Sequence, residues 1–234
     1  MAKAESPQYL SFNGKISASM DSYAKPSAAE LADMKEKDPA LRHTWTIWEQ
    51  LAQNAGTGYS ESTKPVASFH TVKGFWKYWN HLPQPSMLLD GKKFVRVNGE
   101  TKSVVDALML FREGIKPEWE DPANASGGHF QFQMKTQLTG GPIDEYWNNL
   151  VLGMIGGALE PADMITGIRL IDKLANKRAP HIRVEVWFSN YADAEKVTLL
   201  QQNLEKCMTT RLDGTQSTAA WGKTEKMEHK EHKK

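Results

Sequence analysis

A seven-residue stretch, HFQFQMK at 129–135, alternates strictly between polar and apolar side chains. In an extended chain Phe130, Phe132 and Met134 would lie on one face of a strand, and His129 would lie on the other face with the two glutamines. We therefore expect a sheet with one buried face and one face in contact with water. Such a sheet needs further elements to cover its apolar face.

Further strand patterns occur on both sides of this stretch. Residues 43–50 and 65–70 are rich in β-branched, aromatic and small apolar residues, which favour strands. Asn98-Gly99 separates two β-rich runs, which is the typical sequence of a tight hairpin. Later strands are predicted at ALMLFR (107–112), TGIRLID (166–172) and IRVEVWFS (182–189).

Three segments instead carry the helical spacing of about 3.6 residues. The first can be capped by Thr71 and stops before Pro83. The second follows Pro142, a residue that suits the first turn of a helix. The third runs from about Asp193 to Met208. Strands in runs, together with three long amphipathic helices, predict a single α+β domain with an antiparallel sheet covered on one side.

Composition limits the class of protein. The chain has 234 residues, 40% of them apolar, which is enough for one substantial core. Its 29 basic and 28 acidic residues nearly cancel, which argues against binding to nucleic acid or membrane through the overall charge. No apolar run approaches the ~20 residues that span a bilayer, and Cys207 has no second cysteine to pair with. We expect a soluble monomer in the cytoplasm or nucleus, without a cofactor or metal.

Both ends of the chain are polar. Residues 1–40 contain few large apolar side chains, and the last residues alternate Lys with Glu and His. Segments of this composition bury too little area to offset the entropy of ordering. His229 and His232 are too few for a metal site and are expected to be solvated. The expected organisation is a flexible extension (1–40), a folded domain (41–222) and a charged flexible tail (223–234).

Trp119 stands out because it lies in a polar loop beside Glu118, Glu120 and Asp121. Tryptophan is usually placed in a core, where its large area stabilises the fold, so an indole among carboxylates suggests a recognition surface. Taken alone, however, a half-buried anchor for the loop is the commoner role for such a residue. A second aromatic candidate is Tyr59, in the loop AGTGYSES.

A local anion site is indicated between residues 169 and 183, where five basic residues accompany one acidic residue. A solvated hairpin is the plainer interpretation of this cluster. Two aromatic rings, a carboxylate and a cationic cluster together suit a flat, positively charged heterocycle that carries phosphates. A guanine methylated at N7 fits this description.

The ordered motifs resemble the translation initiation factor 4E family, which binds the 7-methylguanosine cap of messenger RNA. The resemblance covers roughly residues 39–208. Its pieces are HTWTIW, FHTVKGFWKYWNHL, LFREGIKPEWED, GGHFQF, IDEYWNNLVLGMIGG and IRVEVW, and their order and spacing together are specific. The fold that it implies is a cupped antiparallel sheet with three helices on its convex back.

By this resemblance Trp119 and Tyr59 would form the aromatic sandwich around the base, with Tyr59 in place of the usual tryptophan. Glu120 would accept hydrogen bonds from the guanine edge, which selects guanine over adenine. Trp187 would complete the base site. Contacts to phosphate are implied for Lys173, Arg178 and Arg183, with the register between them left open because this loop is longer than usual. His129 stands where many members carry an arginine, which makes its contact sensitive to pH.

The resemblance also implies a dorsal groove that takes helical motifs from a scaffold initiation factor or a 4E-binding protein. Val72, Trp76 and Leu152 match its apolar positions, and Asn148 stands where the family has an apolar residue. The hairpin at 87–103 has no counterpart in typical members and marks a divergent lineage.

Two other functions are alternatives to cap binding. A nucleotide or cap hydrolase could use Glu120, Asp121, His129 and His181 as acid and base groups. Against an enzyme, the sequence has no nucleophile elbow, Walker loop or zinc-ligand spacing. A general RNA-binding module is the other alternative, but the aromatic motifs of that class are missing and the net charge is low.

Overall fold

The computed structural model describes residues 9–16, 27–53, 58–136, 140–211, 214–216 and 227–232. The helices are α1 (Ala28–Glu36), α2 (Tyr59–Ser62), α3 (Val72–Trp79), α4 (Ser86–Leu89), α5 (Gly140–Ile155) and α6 (Ala194–Thr209), with a 3-10 turn at Ala162–Met164. The strands are β1 (Ala40–Leu51), β2 (Thr63–Thr71), β3 (Phe94–Asn98), β4 (Thr101–Arg112), β5 (Gly128–Lys135), β6 (Ile165–Lys173), β7 (His181–Phe188) and β8 (Glu228–Glu231). Within these residues, no helix is long and apolar enough to cross a membrane.

The eight strands form one antiparallel sheet in the order β2-β1-β4-β6-β7-β5-β8, with β3 paired to β4. The predicted α+β fold with a single antiparallel sheet is confirmed. Of the three predicted helices, α5 and α6 have 16 residues each, whereas α3 has only 8. We call the side of the sheet covered by these helices the helix face, and the other side the open face.

The main core lies between the sheet and the helices. Helix α3 is capped as predicted, because the Thr71 hydroxyl accepts a hydrogen bond from the Gly74 backbone at 3.0 Å. Its inward residues Phe75 and Trp79 are buried, with ring centres 5.1 Å apart. The Trp79 indole donates to Asn148 of α5 at 3.1 Å, which satisfies a buried polar group of each helix.

Strand β5 has the predicted core face, since Phe130, Phe132 and Met134 are buried. The opposite face was expected to be exposed to water, yet His129 and Gln131 are also buried. The reason is that β8 pairs with β5 along this edge, and Gln131 donates to Glu228 at 2.8 Å. A periodicity in one strand reports which side chains share a face, but not what covers that face.

Two adjacent glycines allow β5 to start in this crowded position. A Cβ atom on Gly127 would lie 1.8 Å from the backbone oxygen of Phe188, and one on Gly128 would lie 2.5 Å from that of Lys230. Neither contact is possible for a residue with a side chain. The glycine pair is therefore required by close packing of the backbone between β7 and β8.

The ends of the chain differ from the flexible segments that composition suggests. Residues 9–16 pack on the helix face, where Ser11 donates to Asp144 at 2.5 Å and Asn148 donates to the Leu10 carbonyl at 2.9 Å. Helix α1 also falls within the region 1–40, and residues 1–8 and 17–26 lie outside the described residues. Composition misjudges the segment 9–16 because hydrogen bonds attach it together with the apolar ring of Phe12, which packs against the core.

At the other end, β8 extends the sheet beyond residue 222, the expected end of the domain. His232, expected to be solvated, is 6% exposed. Residues 217–226 and 233–234 lie outside the described residues. The predicted hairpin within 87–103 is present as β3 and β4, with Gly99 at a φ of 59° in its turn.

Candidate functional site

A cavity of about 640 Å³ opens on the open face of the sheet. Two loops and two strands form it, and the loops bring Tyr59 and Trp119 to the same cavity although 60 positions separate them in the sequence. The lining residues are Gly58, Tyr59, Ser60, Glu61, Pro117, Glu118, Trp119, Glu120, Arg169 and Trp187.

The Tyr59 side of the cavity is tied directly to the Trp119 side. Tyr59 begins α2, and its hydroxyl donates to the Pro117 carbonyl at 3.0 Å. Burial raises the pKa of Tyr59, so the phenol keeps its proton for this hydrogen bond. A second bond links the loops, because the Ser60 hydroxyl donates to the Glu118 carboxylate at 2.7 Å. These bonds fix the separation of the two loops.

Trp119 is a large apolar side chain that its loop presents to solvent, with 52% of its surface exposed. Its loop is held by internal hydrogen bonds: Asp121 accepts from the Lys116 backbone at 2.9 Å, and Asn124 donates to the Lys116 carbonyl at 2.9 Å. The neighbouring Glu120 is exposed, and within the described part of the chain its carboxylate makes no hydrogen bond or ion pair. An exposed ring and a free acceptor thus stand side by side at the rim of the cavity.

The floor consists of Arg169 on β6 and Trp187 on β7. The guanidinium carbon of Arg169 lies 5.7 Å from the ring centre of Tyr59 and 5.3 Å from that of Trp187. Arg169 also donates to Glu185 at 3.2 Å, and the Trp187 indole donates to the same carboxylate oxygen at 3.0 Å. The floor therefore combines a guanidinium and an indole, and both donate to Glu185.

Glu185 is ionised in this arrangement. Burial alone would raise the pKa of its carboxyl, but the positive charge of Arg169, together with His129, Arg183 and the Trp187 indole, brings the pKa below its usual value. Arg183 pairs with the same carboxylate, so Glu185 compensates one of the two arginine charges beside the cavity floor and the cluster keeps one positive charge.

The predicted phosphate-binding residues do not line the cavity. Arg183 pairs with Glu185 at 3.0 Å. It occupies the same face of β7 as Glu185 and Trp187, which follow it at every second position. Lys173 and Arg178 are exposed in or beside the connection between β6 and β7. Arg183 therefore lies along the strand that carries Trp187, whereas Lys173 ends β6 and Arg178 lies in the connection that follows it.

His129 was expected to contact phosphate, but it lies behind Trp187 and is 5% exposed. Its ring stacks on that of Trp187 with centres 5.9 Å apart, and its Nδ1 lies 3.1 Å from Nε2 of His232. Burial lowers the pKa of His129 to about 4, so the ring is neutral at neutral pH. It therefore cannot supply the positive charge of the arginine it would replace.

The groups proposed for a hydrolase are not brought together. Asp121 accepts hydrogen bonds from its own loop, His129 lies outside the cavity lining, and the His181 ring contacts the Ala179 carbonyl. Burial raises the pKa of the Cys207 thiol to about 11, which leaves it protonated. Among the described residues, no group of three or more His, Cys, Asp or Glu side chains could hold a metal ion.

The residues predicted to bind partners lie on the helix face, away from the cavity. Val72, Trp76 and Leu152 are half-buried. Asn148 is completely buried beneath them and is not part of the surface. The ring of Phe12, from the segment 9–16, packs edge-on against Trp76 with centres 5.5 Å apart.

Sequence reasoning missed three residues at or near the cavity: Arg169, Glu185 and His232. The first two could have been found, because TGIRLID and IRVEVW flank one loop and pairing them places Arg169 opposite Glu185. No signal indicated His232, whose burial depends on the return of the chain to β5.

Comparisons with known proteins agree with this architecture. Residues 40–234 match the sequence model of the family described as eukaryotic initiation factor 4E. Over 159 residues the chain is 32% identical to eukaryotic translation initiation factor 4E-2 of Schizosaccharomyces pombe, covering 68% of this chain and 57% of that protein. It is 33% identical over 164 residues to eukaryotic translation initiation factor 4E of Saccharomyces cerevisiae, covering 68% of this chain and 69% of that one.

A solved structure shares the fold. The complex of Ascaris suum eIF4E-3 with an m2,2,7G cap has a TM-score of 0.59 and 25% identity, covering 74% of this chain and 85% of that chain. The chain spans less than two thirds of the length of the S. pombe relative, at 57%.

Proposed function

The chain belongs to the eukaryotic initiation factor 4E family, and we propose that it binds the 7-methylguanosine cap of messenger RNA and acts in translation initiation. The observation that carries the proposal is the cavity lined by Tyr59, Trp119, Glu120 and Trp187. Its aromatic rings and free carboxylate are the groups that a methylated guanine would need.

In this proposal the base enters between Tyr59 and Trp119. Stacking of a base on an aromatic side chain contributes about 1 to 3 kcal/mol. The positive charge that methylation gives to the guanine adds a cation-π contribution of about 0.5 to 2 kcal/mol. Glu120 would accept from N1–H and the exocyclic amine of guanine, contacts that adenine cannot make in the same way.

The phosphates of the cap would follow β7 away from Trp187. Side chains two positions apart on a strand lie about 7 Å apart on one face, so Arg183 stands about 13 Å along the strand from Trp187. Lys173 and Arg178 lie exposed at that end of the sheet. We assign phosphate contact to this group as a whole, because long cationic side chains in an exposed connection can reach several positions.

A titration with 7-methyl-GTP and GTP tests the base site through quenching of tryptophan fluorescence. The protein should prefer the methylated nucleotide by at least about tenfold, which corresponds to about 1.4 kcal/mol of cation-π stabilisation. Trp119→Ala should remove most of the affinity for both nucleotides, whereas Val95→Ala, an exposed change on β3, should leave it unchanged. Equal affinity of the unaltered protein for the two nucleotides would refute cap binding.

We also propose that a helical segment of a scaffold initiation factor or a 4E-binding protein docks on the helix face. Val72, Trp76 and Leu152 lie partly exposed there, as contact with an apolar helix requires. A solved complex of Caenorhabditis elegans eIF4E-3 with the 4E-binding protein Mextli, 25% identical to this chain, has a TM-score of 0.58 and covers 74% of this chain and 87% of that one. Trp76→Ala should abolish capture of a partner while 7-methyl-GTP binding stays intact; loss of both would argue for misfolding instead.

A further inference from the structure

The C-terminal segment returns to the open face next to the cavity. Strand β8 pairs with β5, and the backbone N–H of His232 then donates to the Gly127 carbonyl at 3.0 Å. This places an imidazole from the last described residue of the chain at the base of the Trp119 loop. Although it follows four charged or polar residues, the His232 side chain is withdrawn from water.

The ring of His232 has a partner on each nitrogen. Its Nδ1 lies 2.9 Å from the Asn124 carbonyl, which can only accept, so Nδ1 carries the proton. Its Nε2 is then an acceptor and receives the N–H of His129 at 3.1 Å. With these bonds the orientation of the ring is fixed by Asn124 on one side and by His129 on the other.

The faces of the same ring contact the aromatic residues of the site. The imidazole stacks on Trp119 with ring centres 5.8 Å apart and planes 17° apart. It also lies 4.4 Å from the ring centre of Trp187. Among the described residues, His232 supplies the aromatic contact to the exposed Trp119 indole.

The order of the strands shows on which side of Trp119 this contact lies. Strands β6, β7, β5 and β8 are neighbours in this order, and they carry in turn Arg169, Trp187, His129 and, directly after β8, His232. Tyr59 adjoins β2, at the other side of the sheet. His232 is not among the residues that line the cavity. The imidazole therefore supports the indole from behind and leaves the cavity face of Trp119 free.

We propose that His232 is a positioning residue for the base site, which holds Trp119 in the orientation that stacks on a base without itself touching the ligand. An indole that is half exposed and unsupported would lose rotamer freedom on binding, and a ring already held in place avoids that loss. The inference deepens the proposed function and rests on it, since it assigns the C-terminal segment a part in the same site.

The test compares His232→Ala with His232→Phe, which keeps a flat ring, and with Lys230→Ala, an exposed change in the same strand. Two quantities are measured on the full chain: the Kd for 7-methyl-GTP, and the 19F spectrum of protein labelled with 5-fluorotryptophan, in which Trp119→Phe identifies the Trp119 signal. His232→Ala should weaken binding by about fivefold to tenfold and should move and sharpen the Trp119 signal. His232→Phe should restore most of the affinity, and Lys230→Ala should change neither quantity.

An unchanged Kd in folded His232→Ala, in a protein that binds 7-methyl-GTP, would overturn the positioning role and leave the proposed function standing. If the unaltered protein does not distinguish 7-methyl-GTP from GTP, the proposed function fails, and the 19F signal still decides whether His232 orders Trp119. Should His232→Ala not fold, His232→Gln, which lacks a ring but keeps a donor for Asn124, gives the same comparison. Equal affinities of the Phe and Gln variants would then refute the stacking argument.

Discussion

The two ends of the chain attach to one sheet at different places and by different means: residues 9–16 lie on the helix face, and β8 pairs at the edge formed by β5. Residues 9–16 attach to the helix face through hydrogen bonds to buried side chains, chiefly Asp144 and Asn148. The C-terminal end attaches by backbone pairing of β8 with β5 and by one buried imidazole, that of His232. The C-terminal end therefore completes the sheet, whereas the N-terminal segment covers a sheet and helices that are already complete.

This difference predicts which end the site depends on. The C-terminal end contacts Trp119 and Trp187, so its removal should alter the cavity and weaken nucleotide binding. The N-terminal segment contacts Trp76 and α5, so its removal should alter only the helix face. Five experiments separate the two.

Deletion of residues 227–234 should have the largest effect. It removes a paired strand whose backbone hydrogen bonds contribute about 1 kcal/mol each, and the free energy of unfolding should fall by about 4 kcal/mol. Binding of 7-methyl-GTP should fall more than tenfold. Urea denaturation measures the first quantity and a fluorescence titration the second. Deletion of residues 233–234 alone is the control, and an equal loss there would contradict the role of β8.

Acidification should weaken the C-terminal attachment by a comparable amount. The pKa of His129 falls from its ordinary 6.5 to about 4 in the folded protein, so the unfolded chain binds more protons between these values. Neutral His129 therefore makes its full contribution to the free energy of unfolding above pH 6.5. That contribution should fall by up to about 3 kcal/mol as the pH drops toward 4. Denaturation of the unaltered protein and of His129→Phe between pH 6.5 and 4 measures this effect, because the variant lacks the titrating imidazole and its free energy of unfolding should fall less.

The N-terminal attachment should respond to acid in the opposite direction. Burial raises the pKa of Asp144 despite the hydrogen bonds from Ser11 and Ser86, so the folded state binds this proton more readily than the unfolded chain does. Its contribution to stability therefore increases as the pH falls. Amide exchange of Ser86, which donates to Asp144 at 2.7 Å, should slow relative to the amides of β8. Parallel changes in both regions would contradict the separation.

Deletion of residues 1–16 should have a smaller effect, about 1 to 2 kcal/mol of unfolding free energy, because water can then reach Asp144 and Asn148 and replace part of the lost hydrogen bonding. The Kd for 7-methyl-GTP should stay unchanged. Capture of a helical partner should not weaken, since Trp76 is uncovered. A loss of nucleotide binding in this variant would show that the two faces are coupled.

Phe12→Ala should have the smallest effect. It removes one edge-on contact with Trp76, worth about 1 kcal/mol together with its buried area. Lys15→Ala, which removes an exposed ion pair with Asp90, is the matched control and should cost less than about 0.5 kcal/mol. Denaturation curves of the two variants measure the difference, and equal costs would mean that Phe12 does not anchor the segment.

Several of these features could be anticipated from local sequence. The cap at Thr71, the hairpin at Asn98-Gly99 and the core face of β5 follow from rules that involve residues close together in the chain, and each is present. Tyr59 and Trp119 were placed together by resemblance, and the two do line one cavity. The phosphate register could not be predicted, because the length of the β6–β7 connection does not determine where its exposed side chains reach.

The sequence by itself determined strands β1 to β7 and helices α3, α5 and α6, because periodicity, caps and turn residues act over a few positions. It did not indicate β8 or the helices α1, α2 and α4. Only the tertiary structure decided that Arg169 and Trp187 form the floor of the cavity, that His129 is buried and neutral, and that His232 stands behind Trp119. Each of these depends on a pairing between distant segments. The composition of a polar chain end indicates how much apolar area that end can bury. It does not indicate whether a strand edge or a buried carboxylate elsewhere in the fold can form hydrogen bonds with it.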